Sequence, residues 1–157
     1  MEPEVAVEIK STYEDEYFSI RIDEEERLLF YKILGYPKCS EMIRHGHDEL
    51  YKIALEMQKE RGLLHLVADL TDAKILLKKD IRFIGTVSYP RLAKTGIRNL
   101  AILLRDDFHV KMNVKKTIEC LGPNVFRTVM QHPSLEHAKQ WFNKLPGSET
   151  IRYTLLK

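Results

Sequence analysis

Leu63-Leu64-His65-Leu66-Val67-Ala68-Asp69-Leu70 is almost continuously apolar. Eight residues are short for a buried helix but suit a strand covered on both faces, as in the middle of a parallel sheet. A second run of the same kind is Arg98-Asn99-Leu100-Ala101-Ile102-Leu103-Leu104. Each splits by alternation into two apolar sets: Leu64, Leu66 and Ala68 against Leu63 and Val67, then Leu100, Ile102 and Leu104 against Ala101 and Leu103. Neither face of either strand is therefore suited to meet water.

Working outward, residues 16–22 (EYFSIRI) and 27–34 (RLLFYKIL) read as strands joined by a hairpin loop at Asp23-Glu24-Glu25-Glu26. Pro37 closes the second of these strands, and Ser40 is placed to cap a helix running to about Arg61. Ile43, Gly46, Leu50, Ile53, Ala54 and Met57 share one face of that helix, and Gly62 stands where a left-handed terminating glycine belongs. Further helices are predicted from about Leu77 to Ser88, with Pro90 as the stop, and from Asp106-Asp107 to Leu121. A last strand at 124–131 leads to a helix that Ser134 caps and that carries Leu135, Ala138, Trp141, Phe142 and Leu145. The tail 149–156 is strand-like in composition. A hairpin followed by alternating helices and strands means α/β with mostly parallel pairing, right-handed crossovers, about five strands and about four helices.

The chain is 157 residues long, 44% hydrophobic and 31% charged, the size and composition of one globular domain, 1–157. No apolar run approaches the ~20 residues of a membrane span. The acidic opening MEPEVAVEIK lacks the order of a signal peptide, and Cys39 and Cys120 do not make a disulfide framework. A cytoplasmic protein is the expectation, with Cys120 a small buried residue. Charge is unevenly spread. Residues 1–26 hold ten acids and two bases and stand at −8; the whole chain is +2, so the remainder stands at +10. Residues 74–116 hold eleven bases and three acids, a stretch that could meet an anionic lipid, nucleic acid or an acidic protein, unless the acidic arm folds back over it or the bases scatter around separate helix faces. Basic charge without interleaved aromatics argues against nucleic acid.

The hairpin YFSIRIDEEERLLFYKILG, the segment Asp69 to Lys74 (DLTDAK), the basic second helix and the closing FRTVMQHPSLEHAKQWF together resemble the SpoIIAA-like family, also described as STAS/SEC14-like domains, over residues 16–145. The resemblance implies a superhelix of β-α units with helices mainly on one side of the sheet. It also implies a regulatory or binding module rather than an enzyme, acting through a protein partner or a small anionic or lipid ligand. The serine pair of the family's phosphorylatable members, aligned from Asp69-Leu70, falls here at Lys78 and Lys79, so a serine-phosphorylation switch is not expected. Two lysines at a helix start are unfavourable beside the macrodipole and hint at an anionic group nearby, a role that Asp80 in the first turn could itself fill.

The expected ligand or partner surface is the loop and helix start carrying Asp69, Thr71, Asp72, Lys74, Lys78, Lys79 and Arg82, with the Thr71 hydroxyl close to Lys74. The alternative is a SEC14-like carrier that holds a lipid or apolar ligand between the sheet and Ile81, Phe83, Ile84, Val87 and Tyr89. No catalytic residue, cofactor or metal is expected: phosphate-gripping loops, zinc spacings and nucleophile elbows are absent from the sequence. A hydrolase using Asp69 or Asp72 is a third, weaker reading. His45-Gly46-His47 reads as a solvated turn and His65 as a core or edge histidine. With helices on one side, the other apolar sheet face needs cover, from the N-terminal arm, the C-terminal tail or a second copy in a homodimer.

Overall fold

The computed structural model describes residues 10–34, 40–60, 62–73, 76–122 and 125–145. The strands are β1 (Lys10–Glu14), β2 (Phe18–Asp23), β3 (Leu28–Ile33), β4 (His65–Asp69), β5 (Asn99–Leu103) and β6 (Thr128–His132). They lie side by side in chain order, antiparallel from β1 to β3 and parallel from β3 to β6. The sheet has six strands rather than about five because the acidic arm adds one: Lys10 to Glu14 pairs along β2. The residues before Lys10 and the strand-like tail lie outside the described residues, as do Pro37 and Cys39.

The helical elements are α1 (Ser40–Glu60), α2 (Lys78–Phe83), a π turn (Ile84–Ser88), α3 (Tyr89–Lys94), α4 (Phe108–Leu121) and α5 (Leu135–Lys144). The helical run from α2 through the π turn to α3 is continuous, so the described residues form four helical units. Pro90 does not stop the second one. It sits in the first turn of α3, after the widened π turn, where a tight helix would press its ring against the Thr86 carbonyl. Capping follows the sequence at two places. Asp107 accepts from the amides of His109 and Val110 to open α4, and Ser134 accepts from that of His137 to open α5. Ser40 instead lies within the first turn of α1 with its hydroxyl buried and unpartnered.

Consecutive parallel strands that step one way across a sheet send each right-handed crossover to the same face. Accordingly α1, the α2–α3 run and α4 pack on one side, where Ile43, Leu50, Ile81, Ile84, Val110 and Val114 meet Ile20, Tyr31, Leu66, Leu100 and Ile102. Helix α5 follows β6, the last strand among the described residues, and leads to no further strand there. It lies on the opposite face, placing Ala138 and Phe142 on Leu28, Phe30, Val67, Ala101 and Leu103. Phe142 stacks on His65 at 4.0 Å, and Lys139 bonds the buried Asp23 carboxylate at 3.0 Å. On the second face α5 thus covers side chains of β3, β4 and β5, a source of cover that the sequence reading did not name. Cys120 is exposed, not buried.

Candidate functional site

Where α1 passes α2, a surface groove of about 550 Å³ opens, lined by Arg44, Lys78, Lys79, Arg82, Phe83, Thr86 and Val87. The spacing of the α2 residues explains their convergence: Lys78 and Arg82, like Lys79 and Phe83, are one turn apart, and Ile81 and Ile84 hold the opposite face in the core. Arg44 reaches in from α1, its guanidinium 4.5 Å from the centre of the Phe83 ring. Gly46 lets the two layers approach, since a Cβ there would overlap the Phe18 ring on β2. None of the four cations meets a carboxylate among the described residues, whereas Lys32, Arg91, Lys111 and Lys139 each do, at 2.9, 2.9, 2.7 and 3.0 Å. Four positive charges without an ion pair among the described residues give this partly apolar floor a potential that favours a negative charge.

The predicted surface residues do not all meet there. Lys78, Lys79 and Arg82 do. Asp69, Thr71 and Asp72 form a separate network at the carboxyl ends of β3 and β4. Asp69 Oδ1 accepts from the Thr71 amide at 2.9 Å and from the Thr71 hydroxyl at 2.6 Å, so that hydroxyl serves the turn. Lys32 lies 2.9 Å from Asp72 and 3.9 Å from Asp69, and its ammonium is held above the usual lysine range chiefly by the bond to Asp72. Arg105 closes the network by donating to the Thr71 carbonyl at 2.6 Å. Lys74 lies outside the described residues. The basic stretch as a whole is not one surface, since Arg91 pairs with Asp48 on α1 and Lys111 with Asp106.

The predicted apolar stripe also divides. Phe83 and Val87 line the groove, while Ile81, Ile84 and Tyr89 are buried in the core. The enclosed void beside Tyr31, Ile84, Tyr89 and Asn113 is about 10 Å³, room for one water at most and far too small for an acyl chain.

Under the groove floor lies a buried polar cluster absent from the sequence reading. His47 is wholly buried in α1, not in a solvated turn, among the rings of Phe18, Tyr31, Phe83 and Tyr89. Its Nδ1 meets the Ser88 hydroxyl at 2.5 Å, and its Nε2 has no partner. Burial, aided by the charge of Arg91, pushes the imidazole down to about 3. The Tyr31 and Tyr89 hydroxyls share a hydrogen bond at 2.6 Å, and burial raises both phenols, Tyr89 to about 12. The Ser88–His47 contact has the spacing of a nucleophile and base, but Ser88 is sealed from solvent and so weakly basic an imidazole cannot take its proton near neutrality. His65, as expected, is a core histidine. Its Nδ1 lies 3.1 Å from the Asn99 amide, and burial lowers it to about 4.

Periodicity could have exposed His47: it stands four residues after Ile43 and three before Leu50, on the apolar face. Arg44 carries no such signal, because its place in the groove depends on which helix lies beside α1. No group of three or more metal-ligating side chains occurs among the described residues, and no helix there is long and apolar enough to cross a membrane. Compared with protein-family models, curated protein sequences and solved structures, the chain matches none.

Proposed function

We propose that the chain is a non-enzymatic binding module of STAS-like type that acts by taking a negatively charged ligand or partner surface into the groove between α1 and α2. The observation that carries this reading is the set of four cations, Arg44, Lys78, Lys79 and Arg82, which line about 550 Å³ and make no ion pair among the described residues. That volume is in the usual range for a ligand site, and Phe83 and Val87 supply an apolar wall. Lys78 and Lys79 replace the hydroxyls that the resemblance would put there, so the site attracts an anion and does not accept a phosphoryl group. The Asp69, Asp72 and Lys32 charges pair with one another, whereas the groove cations make no ion pair among the described residues.

The test is a titration of the full chain with inorganic pyrophosphate, followed by amide chemical shifts. Shifts should concentrate on α2 and the second turn of α1 and weaken as salt is raised. Lys78→Ala with Lys79→Ala should weaken binding roughly 10- to 100-fold, the scale of lost charge-assisted hydrogen bonds. The exposed pair Lys115→Ala and Lys116→Ala, on α4, should leave it unchanged. Absence of binding, or an equal effect of both pairs, would refute the reading.

A further inference from the structure

Around the groove the surface carries a second pattern. Of the five exposed large hydrophobic side chains among the described residues, Phe108 at 70% and Leu77 at 49% are the most exposed, and Val87 at 41% joins them. Leu55 and Met130 lie apart on α1 and β6. The positions of Phe108, Leu77 and Val87 are related. Leu77 immediately precedes Lys78, Val87 lines the groove itself, and Phe108 is the first residue of α4. Because β3, β4 and β5 are parallel, the helices that follow them, α1, α2 and α4, all begin at the carboxyl edge of the sheet. Arg44, in the second turn of α1, and Lys78, Lys79, Leu77 and Phe108 are thus presented at one end of the molecule. Among the acids at this end, Asp106 is bonded to Lys111 at 2.7 Å, Asp107 caps α4 and lies 3.6 Å from Arg105, and Asp72 meets Lys32 at 2.9 Å, while Glu41 in the first turn of α1 is exposed.

A dissolved anion would account for the cations but not for an exposed phenylalanine and leucine outside the groove. A surface that pairs phosphate with hydrocarbon accounts for both: basic side chains meet the headgroups while apolar ones enter the interfacial layer. We infer that this end of the molecule docks on an anionic lipid bilayer, with Arg44, Lys78, Lys79 and Arg82 against the headgroup phosphates and Phe108 and Leu77 dipping into the interface. This inference rests on the anion-binding reading of the groove and names the partner that presents the anion. Docking is peripheral, through side chains only.

The experiment is co-sedimentation of the full chain with vesicles of phosphatidylcholine alone and of phosphatidylcholine mixed with phosphatidylglycerol. Binding should require phosphatidylglycerol and fall as salt is raised. The Lys78→Ala/Lys79→Ala protein should lose roughly 30-fold in partitioning, about fivefold for each lysine. Phe108→Ser should lose roughly tenfold with an unchanged melting temperature, because the ring contributes little to the core. Equal binding to both vesicle types, no binding to either, or full binding by Phe108→Ser would overturn the inference. Inorganic pyrophosphate separates the two failures. If it binds while vesicles do not, the groove takes a dissolved anion and only the bilayer is wrong; if neither binds, both readings fall.

Discussion

Acid should destabilise this protein sooner than its carboxylates alone would, and His47 should be a principal reason. In the native state His47 titrates near 3 and His65 near 4, against 6.5 for a free imidazole, and burial is the leading cause for each. Below pH 6.5 the unfolded chain binds a proton at each position that the native state refuses. Stability contributed by these groups is therefore complete above pH 6.5 and is lost as pH falls toward the native values. The slope approaches about 1.4 kcal/mol per pH unit for each histidine. At about pH 5 the loss is about 2 kcal/mol apiece, about 4 kcal/mol together, a large share of the ~5–15 kcal/mol that holds a domain folded. Urea unfolding between pH 7 and pH 5 measures the slope, and imidazole nitrogen shifts report the protonation state directly. His47→Asn keeps a polar group near Ser88 but cannot titrate. It should be less stable at pH 7, with an acid slope reduced by about half, because only His65 of the buried pair remains. A native His47 ring already protonated at pH 5.5, or an unchanged slope in His47→Asn, would refute the reasoning.

Two further outcomes test the packing around the site. Tyr31→Phe or Tyr89→Phe alone should cost about 1–3 kcal/mol by stranding the partner hydroxyl in the core, while the double substitution should recover much of that loss; additive costs in a thermodynamic cycle would contradict the 2.6 Å pair. Phe142→Ala removes the ring that covers His65 on the second sheet face. It should cost about 3–5 kcal/mol and promote self-association visible in light scattering, whereas a loss below about 1 kcal/mol would mean that α5 contributes little cover there.

Order, strand identity and the two faces of each central strand were legible in the sequence, because burial on a pleated strand imposes a period of two that neighbouring elements cannot disguise. Leu66 and Ala68 on one face and Val67 on the other, with Leu100 and Ile102 against Ala101 and Leu103, are found as the alternation predicts. Caps at Asp107 and Ser134 and the turn at Gly62 were legible for the same reason: a short-range rule fixes the backbone within a few residues. Half of the groove was legible too, since Lys78, Lys79 and Arg82 lie within about one turn of a single helix.

What only the tertiary structure decided depends on contacts between distant segments. Crossover handedness assigns a face to helices that join parallel strands, and α5 is followed by no further strand among the described residues, so nothing local told which face it would cover. The pairing of β1 with β2 draws an acidic arm into the sheet through backbone bonds, for which its charge gave no warning. The continuation of α2 through Pro90 relies on a π turn, whose Gly85 packs so closely on α4 that a Cβ would meet the Thr117 carbonyl at 2.7 Å. Arg44 and the α2 lysines are more than thirty residues apart, and they share a groove because α1 and α2 are adjacent on the same face. The residues were written in the chain; their meeting was a consequence of how the sheet orders its strands and how its twist sends successive helices to one side.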